Sequence, residues 1–185
     1  MTRSATCGAR LRGPASAALG LESAPLGVAE QLDELRRARA QDSLALDWAQ
    51  RAQTLLAADW GVQADVWSCP SFNELARDGQ AVERHNLLHP TDAPKRSFVE
   101  QQLSDQVGPV IASTDYMKNY AEQIRPFMPK GRIYKVLGTD GFGRSDFRSK
   151  LREHFEINRH YIVVAALKAL SEQGELPAAK VLEAI

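Results

Sequence analysis

The sequence predicts an α/β fold: a three-layer, doubly wound, mostly parallel sheet. Two observations carry this. From Leu44 onward, short β-forming runs alternate with helix-patterned stretches. Three of these runs then break into corners rich in Ser, Thr, Asp or Gly, from Cys69 to Asn73, from Ala112 to Tyr116 and from Gly138 to Asp146. In a right-handed parallel arrangement, corners of this kind share the carboxyl edge of the sheet, where open α/β sheets put ligand crevices or partner surfaces.

The chain has 185 residues, enough for one domain with a real core. Its formal net charge is zero, so it lacks the basic excess of a nucleic-acid footprint. No apolar run approaches the roughly 18 residues of a membrane span. Cys7 and Cys69 make no disulfide framework and suit a reduced, cytoplasmic compartment. Cys69, in a strand-like context, reads as a buried small hydrophobe.

Residues 1–40 read differently from the rest. The opening stretch is rich in Ala, Gly, Arg and Ser, with no acid before Glu22. It superficially resembles a transit peptide. We read it instead as an unmatched leader or translated upstream sequence, disordered or partly helical, with residues 41–185 as the domain.

Leu44, Trp48, Ala52, Leu55 and Leu56 recur at helical spacing, so a helix is expected from Leu44 to Asp59. Ala64 to Cys69 follows as a strand stopped by Pro70. Ser71-Phe-Asn-Glu74 is a capping box that starts the next helix. His85 and His89 stand four apart, but without a third ligand they read as hydrogen-bonding and helix-end residues. Ser97 to Leu103 reads as a short helix and Gly108 to Ser113 as a buried strand. Ser113 and Thr114 then cap a helix from about Asp115 to Ile124, whose Tyr116, Tyr120 and Ile124 stripe reads as packing. Ile133 to Leu137 is the last strand. It leads into Gly138-Thr-Asp-Gly-Phe-Gly143, and Ser145 or Asp146 is expected to cap the helix beyond. Asn158 caps an apolar helix over Tyr161 to Leu170, closed by Gly174, and Pro177 suits the first turn of a final helix.

The corners supply Ser71, Thr114, Asp115, Thr139, Asp140, Gly141, Gly143 and Ser145 as candidate contacts to a ligand or partner. Helix capping and anion binding use the same amide geometry, and the residue types alone leave both open.

Four ordered blocks add a family resemblance: Asp59-Trp-Gly-Val62 with Asp65-Val-Trp-Ser68, Ser71-Phe-Asn-Glu-Leu75, Ala112-Ser-Thr-Asp-Tyr-Met117, and Gly138 to Asp146. With them the chain resembles, from about residue 44 to 185, the C-terminal domain of the homodimeric pyruvate dehydrogenase decarboxylases of the transketolase superfamily. The resemblance implies a transketolase C-terminal-like fold short of its first strand, because Arg36 to Ser43 does not reproduce the family's strand and Gly-Ser-Gly turn. The implied parent reaction is thiamine-diphosphate-dependent oxidative decarboxylation of pyruvate with acetyl transfer to a lipoyl group. The thiamine diphosphate and magnesium belong to two large domains not matched here. Asp140-Gly141 lacks the downstream asparagines of a diphosphate motif, so no cofactor, metal or catalytic residue is carried over. The implied partners are those missing domains or a full-length subunit and, in the parent complex, the dihydrolipoyl acetyltransferase. The alternative is a free-standing anion-binding or subunit-interaction module. The structural gap left by the missing strand is expected to make residues 40–185 poorly soluble alone.

Overall fold

The computed structural model describes residues 6–12 and 44–185. Its sheet has four strands in the order β2-β1-β3-β4: β1 Thr6–Arg12, β2 Gln63–Cys69, β3 Val110–Ser113 and β4 Tyr134–Leu137. β3 and β4 pair in parallel, Val110 opposite Tyr134 and Ser113 opposite Leu137. β1 runs antiparallel to both of its neighbours, so β2, β3 and β4 all point the same way. Their carboxyl ends therefore share one edge of the sheet, as expected.

β1 comes from the opening stretch of the chain, Thr6–Arg12. It occupies a central place in the sheet, with Cys7 opposite both Ser68 and Ser113. Neighbouring strands on either side present backbone donors and acceptors that must be matched when buried, and an extended segment of almost any sequence can match them. The rest of that opening stretch, residues 13–40, lies outside the described residues.

Helices cover both faces of the sheet. On one face lie α1 Leu44–Trp60, α6 Arg159–Glu172 and α7 Ala178–Glu183. Ala52, Leu56, Ile111, Ile162, Ala166 and Leu167 form the centre of that layer. The other face carries α2 Phe72–Leu88, α3 Phe98–Leu103 and α4 Lys118–Glu122. There Phe72, Ala76, Val110, Ala112, Ile124 and Tyr134 pack together. β3 is buried at every position, which fits its unbroken apolar run between two helical layers.

The caps explain most of the boundaries. Ser71 accepts from the Glu74 amide at 3.2 Å, starting α2 as the capping box requires. α2 runs on to Leu88, well past Arg77, and His89 ends it by donating its amide to the His85 carbonyl. The two imidazoles stack with centroids 4.3 Å apart. Ser97 caps α3, and Asn158 accepts from the His160 and Tyr161 amides to start α6. The helix expected from Asp115 to Ile124 is shorter: α4 covers Lys118–Glu122, and Pro126 turns the chain into a 3-10 turn, Arg125–Phe127. This re-aims the tyrosine stripe. Ile124 is buried, but Tyr116 and Tyr120 are each 42% exposed, so the packing expectation fails for both tyrosines.

Candidate functional site at the carboxyl edge

The second and third corners are laced together. The Thr114 amide donates to the Leu137 carbonyl at 3.0 Å and the Thr139 amide to the Tyr116 carbonyl at 2.9 Å. Thr139 Oγ1 donates to the Asp115 carbonyl at 3.1 Å. Gly138 sits at the crossing point. A β-carbon there would lie 2.7 Å from the Tyr116 carbonyl oxygen and 2.8 Å from the Lys118 nitrogen, so the approach admits only glycine. Gly141 has φ of 98°, where a side chain is strained. Gly143 has open space around it and no such demand.

The candidate side chains divide by what they already touch. Ser71 is spent on its cap. Thr114 is buried, its Oγ1 accepting from the Tyr116 amide at 3.0 Å. Asp140 Oδ1 accepts from the Lys118 amide at 2.9 Å, with the Lys118 Nζ 3.8 Å from Oδ2. Asp115 takes a two-pronged hydrogen bond from Arg152 Nη2, at 2.7 and 2.6 Å. Ser145 is exposed and caps nothing: α5 is Arg148–His154, begins three residues later and has no side-chain cap. Asp146 does not cap it either, accepting instead from the adjacent Phe147 amide at 2.8 Å. The physical reason is that the loop stays extended through Phe147, at φ −62° and ψ 146°.

That loop is the most exposed feature of the edge. Residues 140–150 are all exposed, and Phe142 and Phe147 stand 98% and 81% exposed. Two phenyl rings in water on one short loop form the kind of apolar surface that marks an interaction site.

A feature invisible to the motif search lies beside it. Arg152 is buried, with its guanidinium carbon 5.5 Å from the centre of the Trp48 ring. Its burial lowers its pKa, and the nearby Asp115 carboxylate opposes that shift. No sequence signal short of a correct fold joins Trp48 of α1 to Asp115 and Arg152.

A cavity of about 400 Å³ opens on the α2–α3 face. Trp67, Cys69, Phe72, Val99, Leu103 and Tyr134 line it. Cys69 is a free, half-buried thiol whose pKa burial pushes up to about 11. The Tyr134 hydroxyl is already donating to the Ala121 carbonyl at 2.8 Å, and its pKa too is raised by burial. The cavity therefore has an apolar lining with few polar groups left to orient a ligand.

No helix among the described residues is long and apolar enough to cross a membrane. The carboxylates of the edge face cations of the chain itself. Asp115 is held by Arg152 and Asp140 by Lys118. Among the described residues, no group of three His, Cys, Asp or Glu converges on one point.

Comparison with known proteins places these observations. A family model for the transketolase-like C-terminal domain matches residues 44–158. The pyruvate dehydrogenase E1 component of Pseudomonas aeruginosa is 63% identical over 125 residues, which is 68% of this chain and 14% of the relative. The corresponding protein of Cupriavidus necator is 60% identical over 146 residues, 79% of this chain and 15% of the relative. That of Escherichia coli is 53% identical over 125 residues, again 68% and 14%. The chain thus spans about one seventh of the length of these relatives, and it belongs to the transketolase-like C-terminal domain family.

Proposed function

We propose that this chain is a C-terminal piece of a pyruvate dehydrogenase decarboxylase that works by docking onto the rest of such an enzyme. The whole enzyme would carry out thiamine-diphosphate-dependent oxidative decarboxylation of pyruvate, with acetyl transfer to the lipoyl group of the acetyltransferase component. This chain would supply structure and contact surface, with the thiamine diphosphate and magnesium held elsewhere. The commitment of Asp115 and Asp140 to cationic partners supports that division.

The observation that carries the docking role is the loop between β4 and α5. It is held at its base by the Gly138 crossing and by Asp140, yet it presents Phe142 and Phe147 to solvent. A rigid base with exposed aromatic tips suits insertion into a partner surface, where such side chains contribute most of the contact energy. Tyr116, just before α4, and Tyr120, on α4, are half-exposed at the same corner, with ring centroids 5.6 Å apart.

The test pairs this chain with an E1 component truncated before its own C-terminal domain. Copurification, with recovery of pyruvate-dependent dye reduction, is the expected result. Phe142→Ser with Phe147→Ser should abolish copurification while leaving the melting temperature of the free chain unchanged. Dye reduction by the chain alone, or calorimetric binding of thiamine diphosphate with magnesium, would overturn the reading. A free-standing interaction module is the second reading; it predicts capture of the intact E1 component instead of the truncated one.

A further inference from the structure

Arginines from three helices surround one indole. Arg51 of α1, Arg152 of α5 and Arg159 of α6 lie 5.9, 5.5 and 5.8 Å from the centre of the Trp48 ring. Arg148, one turn before Arg152, is close enough to act on it as a like charge. Two carboxylates answer this group. Asp47 pairs with Arg51 at 2.9 Å, and Asp115 holds Arg152 at 2.6 Å. Arg159 has no carboxylate partner among the described residues; its Nε donates to His160 Nε2 at 3.2 Å. Arg148 likewise makes no ion pair among the described residues.

Like charges gathered this closely repel one another unless an anion answers them. The indole face offsets part of the repulsion, since its quadrupole attracts each guanidinium. The amino end of α6, which opens at Arg159, adds its partial positive charge to the same place.

The geometry points to an oxyanion site at Trp48, Arg51 and Arg159, built for a phosphate group. Guanidinium forks match tetrahedral phosphate oxygens two at a time. Arg152, buried and held by Asp115, is a positioning residue that anchors the indole from below. The positive charges converge on a patch the width of one indole, which suits a single phosphate better than an extended acidic chain. The ligand class is inorganic phosphate or a small phosphate monoester. The site does not depend on the role proposed for the docking loop.

The experiment is thermal melting of the full chain at neutral pH, in sodium phosphate against sodium chloride of equal ionic strength. Phosphate at saturation should raise the melting temperature by about 2–4 °C, as binding to the native state must. Arg159→Gln, an exchange at a solvent-reaching helix start, should remove the shift. Arg77→Gln, remote from the cluster and paired with Glu74, should keep it. Titration with ribose 5-phosphate separates the sources. A midpoint at least tenfold lower than that of inorganic phosphate assigns the site to a monoester, and equal midpoints assign it to the free ion. No difference between phosphate and chloride overturns the proposal. So does a shift that survives Arg159→Gln, or one produced by poly-glutamate and not by phosphate.

Discussion

Gly138 is the residue on which the edge turns. The chain crosses itself there so closely that a β-carbon would meet a carbonyl oxygen at 2.7 Å and an amide nitrogen at 2.8 Å. Neither atom is the end of a flexible side chain, so the backbone of both corners must move. Gly138→Ala should therefore cost about 1–3 kcal/mol, the range of forced overpacking. Urea denaturation should show the loss in the midpoint with the slope preserved. Asp115 matters for a different reason. Its carboxylate is what makes the buried Arg152 tolerable, and removing it strands a charge beside Trp48. Asp115→Ala should destabilise the chain by about 2–3 kcal/mol. The value sits below that of a fully buried pair because the aspartate side chain is 31% exposed. The candidate list drawn from residue types contained Asp115, Thr139 and Asp140, and the structure does bring them together at one edge. It could not say that each was already engaged, because Arg152 and Lys118 reach them only through the fold. The arginine cluster was illegible for the same reason: Arg51 and Arg159 lie on separate helices far apart in sequence, and only α1 against α6 makes them neighbours.

At the scale of elements, apolar runs with local caps were legible and chain corners were less so. β2, β3, β4, α3 and α6 fall where alternation, β-branching and capping residues place them. Asn158 is the clearest of the caps, accepting from His160 N at 2.9 Å and Tyr161 N at 3.2 Å. Asn158→Ala should lower stability by about 1 kcal/mol, read as a drop in the melting temperature, because α6 supplies much of one core layer. Ser145 looked like an equally good cap, yet an extended backbone through Phe147 delays the helix past it. A serine signals a cap only if the helix begins beside it, and here Phe147 takes the N-cap position instead. The α2–α3 face gives a prediction in pH. Cys69 is raised from 9.0 to about 11 in the folded chain by burial. A raised folded pKa means that the unfolded chain loses its proton first. The stability from this thiol is therefore complete below pH 9 and is lost as pH climbs from about 9 to about 11. Denaturant midpoints should be flat to about pH 8 and fall through that window, and Cys69→Ala should remove part of the fall. The remainder belongs to Tyr134, whose buried hydroxyl resists ionisation in the same direction. At pH 8 the folded chain should alkylate at Cys69 far more slowly than the unfolded chain, since the thiolate is the reacting form.

At the scale of the molecule, the decisive element is the one whose sequence said least. Thr6–Arg12 shows no strong run of β-formers, and composition alone assigns it to a leader. Yet it pairs along its whole length with β2, from Thr6 opposite Cys69 to Arg12 opposite Gln63, and along four residues with β3. Backbone hydrogen bonding is nearly indifferent to side chains, so a central vacancy between two strands can recruit a segment that local propensity would never nominate. Without β1, β2 would have no partner strand, and β3 would keep only β4. Both core layers would then flank a slot, and the exposed ladders would invite pairing between molecules. A chain beginning at residue 40 should consequently form soluble aggregates or precipitate, while the full chain should elute as a discrete species in size-exclusion chromatography. Proline replacement within β1 sharpens the test, since it leaves the chain length intact. Ala9→Pro, where Ala9 stands opposite Val66 and Ile111, removes a ladder donor from a strand paired on both sides. If β1 closes the sheet, this single exchange should reproduce the aggregation of the shortened chain, and a proline at Arg3 should not. If residues 40–185 alone give a sharp, reversible transition equal to that of the full chain, the sheet does not need β1.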